Sequence, residues 1–433
     1  MFQDNGPAPI RLWAQLKKPR LVFSGRVMNF FRPVHRNAKL LMASRACRSL
    51  GQGALFVDFS LYLKAMHWAA PVIGSVLMSG LLLGALLSLL VGPLSDRLGR
   101  KHFLLVYEVV QVAAAGVAFL TAYPPLLVMA AVAGGYGRGG NGSAGPFAPL
   151  EQSWIAQMVA ERERGWVYSI NTAISFCGMA FGAFLAMLPE VWSGRLTGAL
   201  AFRPLFLIVL LGSLMSLVFI WLAEDVKLSR SEIAGLQESR QKDIHENRQL
   251  MKLAAINSLN GIGIGLVGPM IAYWFAIRFG EGPLAIGPVI GLSFLLAGLS
   301  SVFSGHLTHR IGMIRAVVTL RLIGLILLAL IPLAPVYWLA SLFYILRAAC
   351  NLGTAGARQA FSISLVRAHR RGLAATFNNI SVQIPRAIGP LAAGLFYSSG
   401  MLLTPFFVAM AFQAGYLALY LGIFQAADPS LFS

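Results

Sequence analysis

Charge is scarce in this sequence. Only 12% of the 433 residues are Asp, Glu, Lys or Arg, and just 16 of them are acidic. Soluble domains carry about 25% charged residues, so this composition excludes an ordinary water-soluble fold. Hydrophobic residues make up 57% of the chain, which indicates a chain that lies in lipid.

The sequence also lacks the patterns of catalytic and metal sites. Its three cysteines, Cys47, Cys177 and Cys350, lie in apolar runs without metal-ligand spacing. It has no phosphate-cradling Gly-x-x-x-x-Gly-Lys-Ser/Thr loop, which excludes an ATP-driven pump, and no Ser/His/Asp cluster stands out. We therefore expect no enzymatic activity, no cofactor and no metal.

The chain has instead a series of apolar runs, each close to the length that crosses a bilayer. About 20 helical residues span ~30 Å of hydrocarbon. Pro, Gly and charged residues separate the runs and predict twelve membrane spans: 40–63, 71–92, 103–121, 125–149, 166–188, 204–223, 252–276, 285–304, 316–334, 337–360, 373–397 and 403–426.

The formal net charge of +19 is distributed on one side of these spans. Lys and Arg concentrate in the N-terminal tail and in the connections 97–101, 162–164, 227–248, 310–315 and 367–371, whereas the opposite side has little beyond Arg195 and Arg203. Cytoplasmic loops carry such an excess, so both termini are predicted to be cytoplasmic. This placement accounts for the charge without nucleic acid.

Residues 1–38 form a basic tail that opens without a cleavable signal peptide. Its mixture of basic and aromatic residues fits either an interfacial helix on anionic lipid headgroups or a disordered basic leader, and the sequence leaves both open. Short tails and loops favour a bacterial inner membrane. We expect a monomer.

Two halves of the chain, 39–223 and 252–433, are separated by a charged linker, 224–251, and resemble each other. Gly92–Gly99 aligns with Gly305–Gly312, 213 residues later. Three more alignments have nearly the same offset: Tyr62 with Tyr273 at 211, Arg138 with Arg347 at 209, and Arg164-Gly165 with Arg371-Gly372 at 207. Such a repeat predicts two six-helix bundles related by an axis along the membrane normal, with a site between them at the midplane.

The connection between the second and third spans carries the most specific motif. It reads Gly92-Pro-Leu-Ser-Asp96-Arg97-Leu-Gly99-Arg100-Lys101 and resembles the loop signature Gly-x-Leu-x-Asp-Arg-x-Gly-Arg-Lys of the major facilitator superfamily. The resemblance implies an all-α polytopic membrane protein with twelve transmembrane helices in two pseudo-symmetric six-helix bundles. It also implies a gating loop that holds the outward-open state. His309 replaces the acid in the second copy, so that latch is expected to be weaker.

A second motif in the fourth span resembles a pattern of proton-coupled members of this family. Arg138-Gly-Gly-Asn141-Gly142 matches Arg-x-x-Gln-Gly with Asn in place of Gln, and the resemblance links Arg138 to proton coupling. We expect Asp58 or Glu108 to be the protonation site, tuned by Arg138. The family's antiporter signature in span five is not matched, because Cys177–Ala186 has small-residue packing spacing but no proline.

Polar residues within the spans are candidates for the substrate site. Those we expect to bind substrate are Arg48, Asn141, Asn171, Asn257, Asn260, Arg347, Asn351, Asn378, Gln383 and Arg386. Arg138, Arg347 and Arg386 fall near mid-membrane, and this excess of arginine favours an anionic solute. The alternative is a neutral cavity in which Asp58 and Glu108 neutralise two arginines.

These features predict a secondary active transporter, proton-coupled, that moves a small organic solute by alternating access. A proton-driven multidrug or metabolite efflux pump and a non-transporting membrane receptor on the same fold remain as alternatives. The expected partners are the solute, protons and a bilayer with anionic headgroups.

Overall fold

The computed structural model describes residues 35–138, 150–151, 154–155, 158–159, 161–224, 240–311, 313–354, 358 and 371–424, but not the side chains of 92–93, 96–98, 161–166, 240–245, 302–313, 371–376 and 424. The chain from His35 onward clusters as one compact unit. Its described residues form helices and turns, without strands.

The described residues form fourteen α-helices in chain order. They are α1 Arg36–Ala65, α2 Ala70–Leu98, α3 Arg100–Leu120, α4 Pro124–Gly134, α5 Glu161–Leu185, α6 Leu188–Val191, α7 Arg203–Leu222, α8 Arg240–Val267, α9 Ile271–Arg278, α10 Pro283–Ile311, α11 Met313–Leu333, α12 Tyr337–Gly353, α13 Arg371–Ser398 and α14 Thr404–Phe424. Residues 150, 151, 154, 155 and 158 are helical as well. We call α1–α7 the first half and α8–α14 the second half.

Each predicted span contains at least one of these helices, and two spans are interrupted within the described residues. The fourth breaks after Gly134, where Gly135 and Gly137 adopt positive φ angles of 62° and 74° that favour glycine. The seventh breaks between Val267 and Ile271, where Pro269 cannot donate a backbone hydrogen bond. The described helix of the tenth span ends at Gly353.

Eight helical segments of the described chain are long and apolar enough to cross a membrane. The other predicted spans contain shorter helices or, as in α1, several charged residues. The interior of α1 is nevertheless buried, including Arg45, Arg48 and Asp58. Burial against the other helices explains why a charged sequence is helical here.

The two halves repeat the same packing. In the first half α1 packs on α5 and α7, and α3 packs on α7 and α4. The equivalent contacts of the second half are those of α8 with α13 and α14, and of α11 with α14 and α12. Across the halves α2 packs on α13 and α5 on α10. This arrangement confirms the two pseudo-symmetric bundles predicted from the repeat.

The halves are joined at the ends of the helices predicted to face outward. Backbones of α2 and α13 approach so closely that a Cβ added at Gly74 would overlap the Pro390 carbonyl. The Glu190 carboxylate accepts a hydrogen bond from the Leu284 amide across the halves at 2.8 Å. Phe56 and Phe294 also stack edge to face there, with centroids 5.5 Å apart. The outer side of the interface is therefore closed.

Glycines set the close approach of α1 and α5. A Cβ at Gly182 would overlap the Leu50 carbonyl, and one at Gly53 would overlap the Met179 backbone. Gly178 lies against Ser49 and Ala46 in the same seam. The packing role predicted for the small residues of span five is thus confirmed.

We predict that Gly182→Ala lowers thermal stability, because its new methyl group meets a backbone carbonyl that no side-chain rotation relieves. Overpacking of this kind costs about 1–3 kcal/mol. The matched control is Gly422→Ala, since nothing lies within 4 Å of a Cβ at that position. The measurement is the midpoint of thermal unfolding in detergent. Equal midpoints for the two variants would contradict the packing described here.

Candidate functional site

Four buried charges form an ion network in the first half. Arg48 on α1 donates to Glu108 on α3 at 2.7 Å and to Glu151 at 2.5 Å, and Arg45, one turn earlier, donates to Glu151 at 3.3 Å. Each of the four side chains is 2% exposed or less. We call Arg45, Arg48, Glu108 and Glu151 the N-terminal ion network.

Polar neighbours extend this network to further helices. Asn171 on α5 donates to Glu151 at 3.3 Å, and the Arg48 guanidinium lies 5.9 Å from the centroid of the Tyr107 ring. Two arginines meet two carboxylates, so the network is electrically balanced. Removing one partner of a buried pair leaves an uncompensated charge and costs about 3–5 kcal/mol. The network therefore fixes α1, α3, α5 and the fourth span relative to one another.

Asp58 lies further along α1, toward the outer side, and is only 1% exposed. Neither of its carboxylate oxygens has a hydrogen-bond partner among the described residues. An isolated carboxylate away from water is costly, and such a group normally takes up a proton. Asp58 is thus set apart from Glu108, which has a guanidinium partner.

Arg138 follows the glycine break of the fourth span and lies against the backbone of its neighbours. Its Nε donates to the Gly135 carbonyl at 3.3 Å, and a Cβ at Gly84 would overlap its guanidinium. Beside it a cavity of ≈ 20 Å³ is lined by Arg48, Gln52, Gln111, Arg138 and Ser213, among others. That space holds about one water molecule.

Arg386 on α13 reaches Arg138 across the two halves. Its Nη2 donates to the Arg138 carbonyl at 3.4 Å and its Nη1 to Gln383 Oε1 at 3.4 Å. The Arg386 side chain is 1% exposed. The contact thus brings together two of the three arginines that the sequence predicts to lie near mid-membrane, one from each half.

The arginines of the second half have few acids to pair with. After Glu246 the sequence contains only Glu281, in the outer connection between α9 and α10, and Asp428 near the C-terminus. Arg347, on α12, is 8% exposed, and its titratable neighbours among the described residues include Tyr344 and Arg321. Positive charge is therefore in excess in this half.

The remaining predicted substrate residues fall into separate groups. Asn257 donates to Asn378 at 2.9 Å, and Asn260 accepts from Arg321 at 2.8 Å, so both lie in contacts within the second half. Asn351 lies against Gly324. Arg48 and Asn171 belong to the N-terminal ion network, and Asn141 lies outside the described residues.

The gating loop is partly described. Gly92, Asp96 and Arg97 fall within α2, with side chains outside the described set. Gly99 adopts a φ of 95° between α2 and α3, which accounts for the glycine of the motif. Lys101 donates to the carbonyls of Trp221 and Ala223 at 2.8 and 2.6 Å. A cation at the end of α7 satisfies carbonyls that the helix leaves unpaired.

Two participants were missed by sequence reasoning. Glu151 lies just beyond the predicted end of the fourth span, and Arg321 is the one charged residue inside the apolar run 316–334. The internal repeat offered a signal for both. Glu151 corresponds to Arg358 at an offset of 207 and Glu108 to Arg321 at 213, which are offsets that the repeat already contains.

Known proteins resemble this chain along most of its length. A membrane protein of Saccharomyces cerevisiae described as uncharacterized, YJR124C, is 23% identical over 410 residues, which cover 86% of this chain and 90% of the yeast protein.

Two solved transporters share the fold. The human organic anion transporter MFSD10 (TETRAN) matches 90% of this chain and 100% of its own with a TM-score of 0.61 at 16% identity. A D-xylose-proton symporter matches 89% of this chain and 96% of its own with a TM-score of 0.65 at 15% identity.

The family model of the Major Facilitator Superfamily matches residues 41–390, a range that holds the gating loop, the N-terminal ion network and the contact between Arg138 and Arg386. Together with the two repeated bundles, this match establishes that the chain belongs to the Major Facilitator Superfamily of membrane transporters.

Proposed function

We propose that this chain is a secondary active transporter that moves a small organic anion by alternating access, coupled to protons. The observation that carries the proposal is the meeting of two buried arginines, Arg138 and Arg386, from opposite halves. Sites in this architecture form between the halves near the midplane. Rocking of the halves would make and break a contact made there.

Charge balance supports an anionic solute. The N-terminal ion network is neutral in itself, so its carboxylates are occupied by Arg45 and Arg48. No carboxylate is among the side chains that act on Arg138 or Arg386 in the described part of the chain. Buried Nη1 of Arg138 and Nε of Arg386 also have no acceptor there. Carboxylate or phosphate oxygens would supply one.

The neutral-cavity alternative requires Asp58 and Glu108 to neutralise arginines of the site. Glu108 instead pairs with Arg48, within the first half, and Asp58 has no described partner. These contacts favour the anion over the neutral solute. Of the two structural relatives, one is an organic anion transporter and the other is a D-xylose-proton symporter. At 15–16% identity each shares only its fold with this chain.

Asp58 is the residue that we assign as the proton carrier. A carboxyl group that is buried without a partner is neutral in its resting state and loses its proton only when water or a cation reaches it. Glu108 is less suited, because Arg48 holds it in an ion pair. Arg138 lies nearer the interface and would sense both substrate and proton.

The gating loop would act as the family resemblance implies. Asp96 would hold the outward-open state at the cytoplasmic side, while the outer contacts of Glu190 and Phe56 hold the state described here. We place both termini in the cytoplasm, from the distribution of Lys and Arg. Location in a bacterial inner membrane remains a prediction from the short loops. The relative from Saccharomyces cerevisiae would instead agree with location in a eukaryotic membrane.

We predict that Arg386→Gln weakens binding of the transported anion by about 10- to 100-fold, because one charge-assisted hydrogen bond is worth about 1.5–3 kcal/mol. Arg386→Lys should rescue only in part, since lysine keeps the charge but loses the planar fork. A transported anion is first identified by counterflow in proteoliposomes, with a panel of radiolabelled monocarboxylates, dicarboxylates and organophosphates. The matched control is Arg195→Gln, which removes an exposed arginine. Undiminished affinity in Arg138→Gln, Arg347→Gln and Arg386→Gln would refute the anionic site.

We predict that Asp58→Asn abolishes uptake driven by an imposed pH gradient but preserves counterflow exchange, which needs no net proton movement. Glu108→Gln should instead lower the thermal midpoint, because Arg48 then loses a charged partner. The comparison uses the same proteoliposomes with and without the gradient. Gradient-driven uptake that persists in Asp58→Asn would remove Asp58 from the coupling step.

A further inference from the structure

The N-terminal ion network has a counterpart in the second half, and the pairing of donor and acceptor is reversed there. Arg48 on α1 donates to Glu108 on α3 at 2.7 Å. At offsets of 212 and 213, Asn260 on α8 and Arg321 on α11 occupy the equivalent places. Arg321 donates to Asn260 Oδ1 at 2.8 Å, so the arginine now comes from the third span of the half and the acceptor from the first.

The remaining members of the network correspond in the same way. The pairs are Arg45 with Asn257, Glu151 with Arg358 and Asn171 with Asn378, at offsets of 212, 207 and 207. Contact between the first and fifth spans of the half is also kept, because Asn257 donates to Asn378 at 2.9 Å. An aromatic ring again faces the arginine, since the Arg321 guanidinium lies 5.5 Å from the centroid of Tyr416.

The exchange of residues changes the charge of this cluster. Two arginines and two glutamates in the first half become two asparagines and two arginines, Arg321 and Arg358, in the second. Arg321 is 3% exposed, and the groups that act on it are the positive charges of Arg358 and Arg347 and the rings of Tyr416 and Tyr420. We call Asn260, Arg321 and Arg358 the C-terminal arginine cluster.

Unsatisfied donors lie at this cluster. Nε of Arg321, Nε of Arg358 and Nδ2 of Asn260 are buried and have no acceptor among the described residues. The buried Arg321 guanidinium and the half-buried Arg358 guanidinium repel each other, no carboxylate of the described residues pairs with either, and each missing hydrogen bond leaves a desolvated donor. An anion with several acceptor oxygens would remove both costs.

We propose that the C-terminal arginine cluster binds a phosphate group, which supplies the negative charge that Glu108 and Glu151 supply in the first half. Free phosphate carries about two negative charges and the phosphodiester of a lipid headgroup carries one, and both have several acceptor oxygens, which match two guanidinium groups and an amide donor. Either free phosphate or the phosphate of a lipid headgroup supplies this chemistry. All three members of the cluster belong to the second half, whereas the contact of Arg138 with Arg386 joins the two halves. We therefore expect the phosphate to stay bound when the halves move and to be distinct from the transported solute.

The test is the thermal midpoint of the purified full chain against inorganic phosphate at constant ionic strength. A ligand that binds only the folded state raises the midpoint with its concentration, so we expect a rise of several degrees in phosphate-free detergent solution on addition of phosphate. The same titration in nanodiscs of zwitterionic or anionic lipid separates the two sources. A rise with free phosphate in both lipids indicates the free ion. A response to free phosphate that is seen in detergent but lost in both lipids indicates a headgroup, because both lipids carry a phosphate that would already fill the site.

Two substitutions make the result specific. Arg321→Gln should weaken phosphate binding about tenfold or more. Arg358→Glu supplies an internal acid for Arg321, as in the first half, and should give a protein that is stable without phosphate and whose midpoint no longer responds to it. Arg195→Gln is the control and should respond like the wild type. A general salting effect of phosphate would act equally on all of them.

The proposal is overturned by either of two results. One is a wild-type midpoint that depends on neither phosphate nor anionic lipid. The other is a response of Arg358→Glu equal to that of the wild type. Because Arg358→Glu is expected to fold at least as well as the wild type, the test stands even if Arg321→Gln does not fold.

Discussion

A guanidinium group inside a membrane bundle must meet a carboxylate, a carbonyl or an anion, and the two halves of this chain meet that requirement differently. In the first half Arg45 and Arg48 are neutralised by Glu108 and Glu151. These pairs join α1, α3 and the helical segment of Glu151 and leave the network without net charge. In the second half acids are almost absent from the sequence, and the arginines rely on amides, carbonyls and aromatic rings.

This asymmetry connects the stability of the fold with its proposed activity. A balanced first half would be a rigid support, because the loss of any partner leaves a buried charge. A positively charged second half would attract anions, both at the interface through Arg386 and inside the bundle through Arg321. Asp58 stands outside both arrangements, and its lack of a partner is the reason for assigning it to the proton.

The sequence predicted much of this architecture from simple physical signals. Apolar length and the repeat predicted the spans and the two bundles, and the small-residue spacing of Cys177–Ala186 correctly indicated helix packing, which Gly182 provides. The breaks at Gly135 and Pro269 shortened two predicted helices, since local backbone preferences there override hydropathy.

Side-chain pairing was harder to foresee. Glu151 was missed because hydropathy places the end of the fourth span just before this charged residue. The cost of burying Glu151 is offset by Arg45 and Arg48 on α1, which are distant in sequence. Arg321 was missed because one charge does not alter the mean hydropathy of a long apolar run. Both depend on contacts across helices, which periodicity along one helix does not contain.

The central claim is that the uncompensated arginines hold anions, and anomalous scattering from bromide tests it most directly. Crystals of the full chain soaked in bromide should show anomalous density between Arg138 and Arg386 and beside Arg321, with none at Arg48, whose partners are carboxylates. Two results would contradict the account. One is anomalous density at Arg48 equal to that at Arg321. The other is bromide density elsewhere in the protein but none between Arg138 and Arg386 and none beside Arg321.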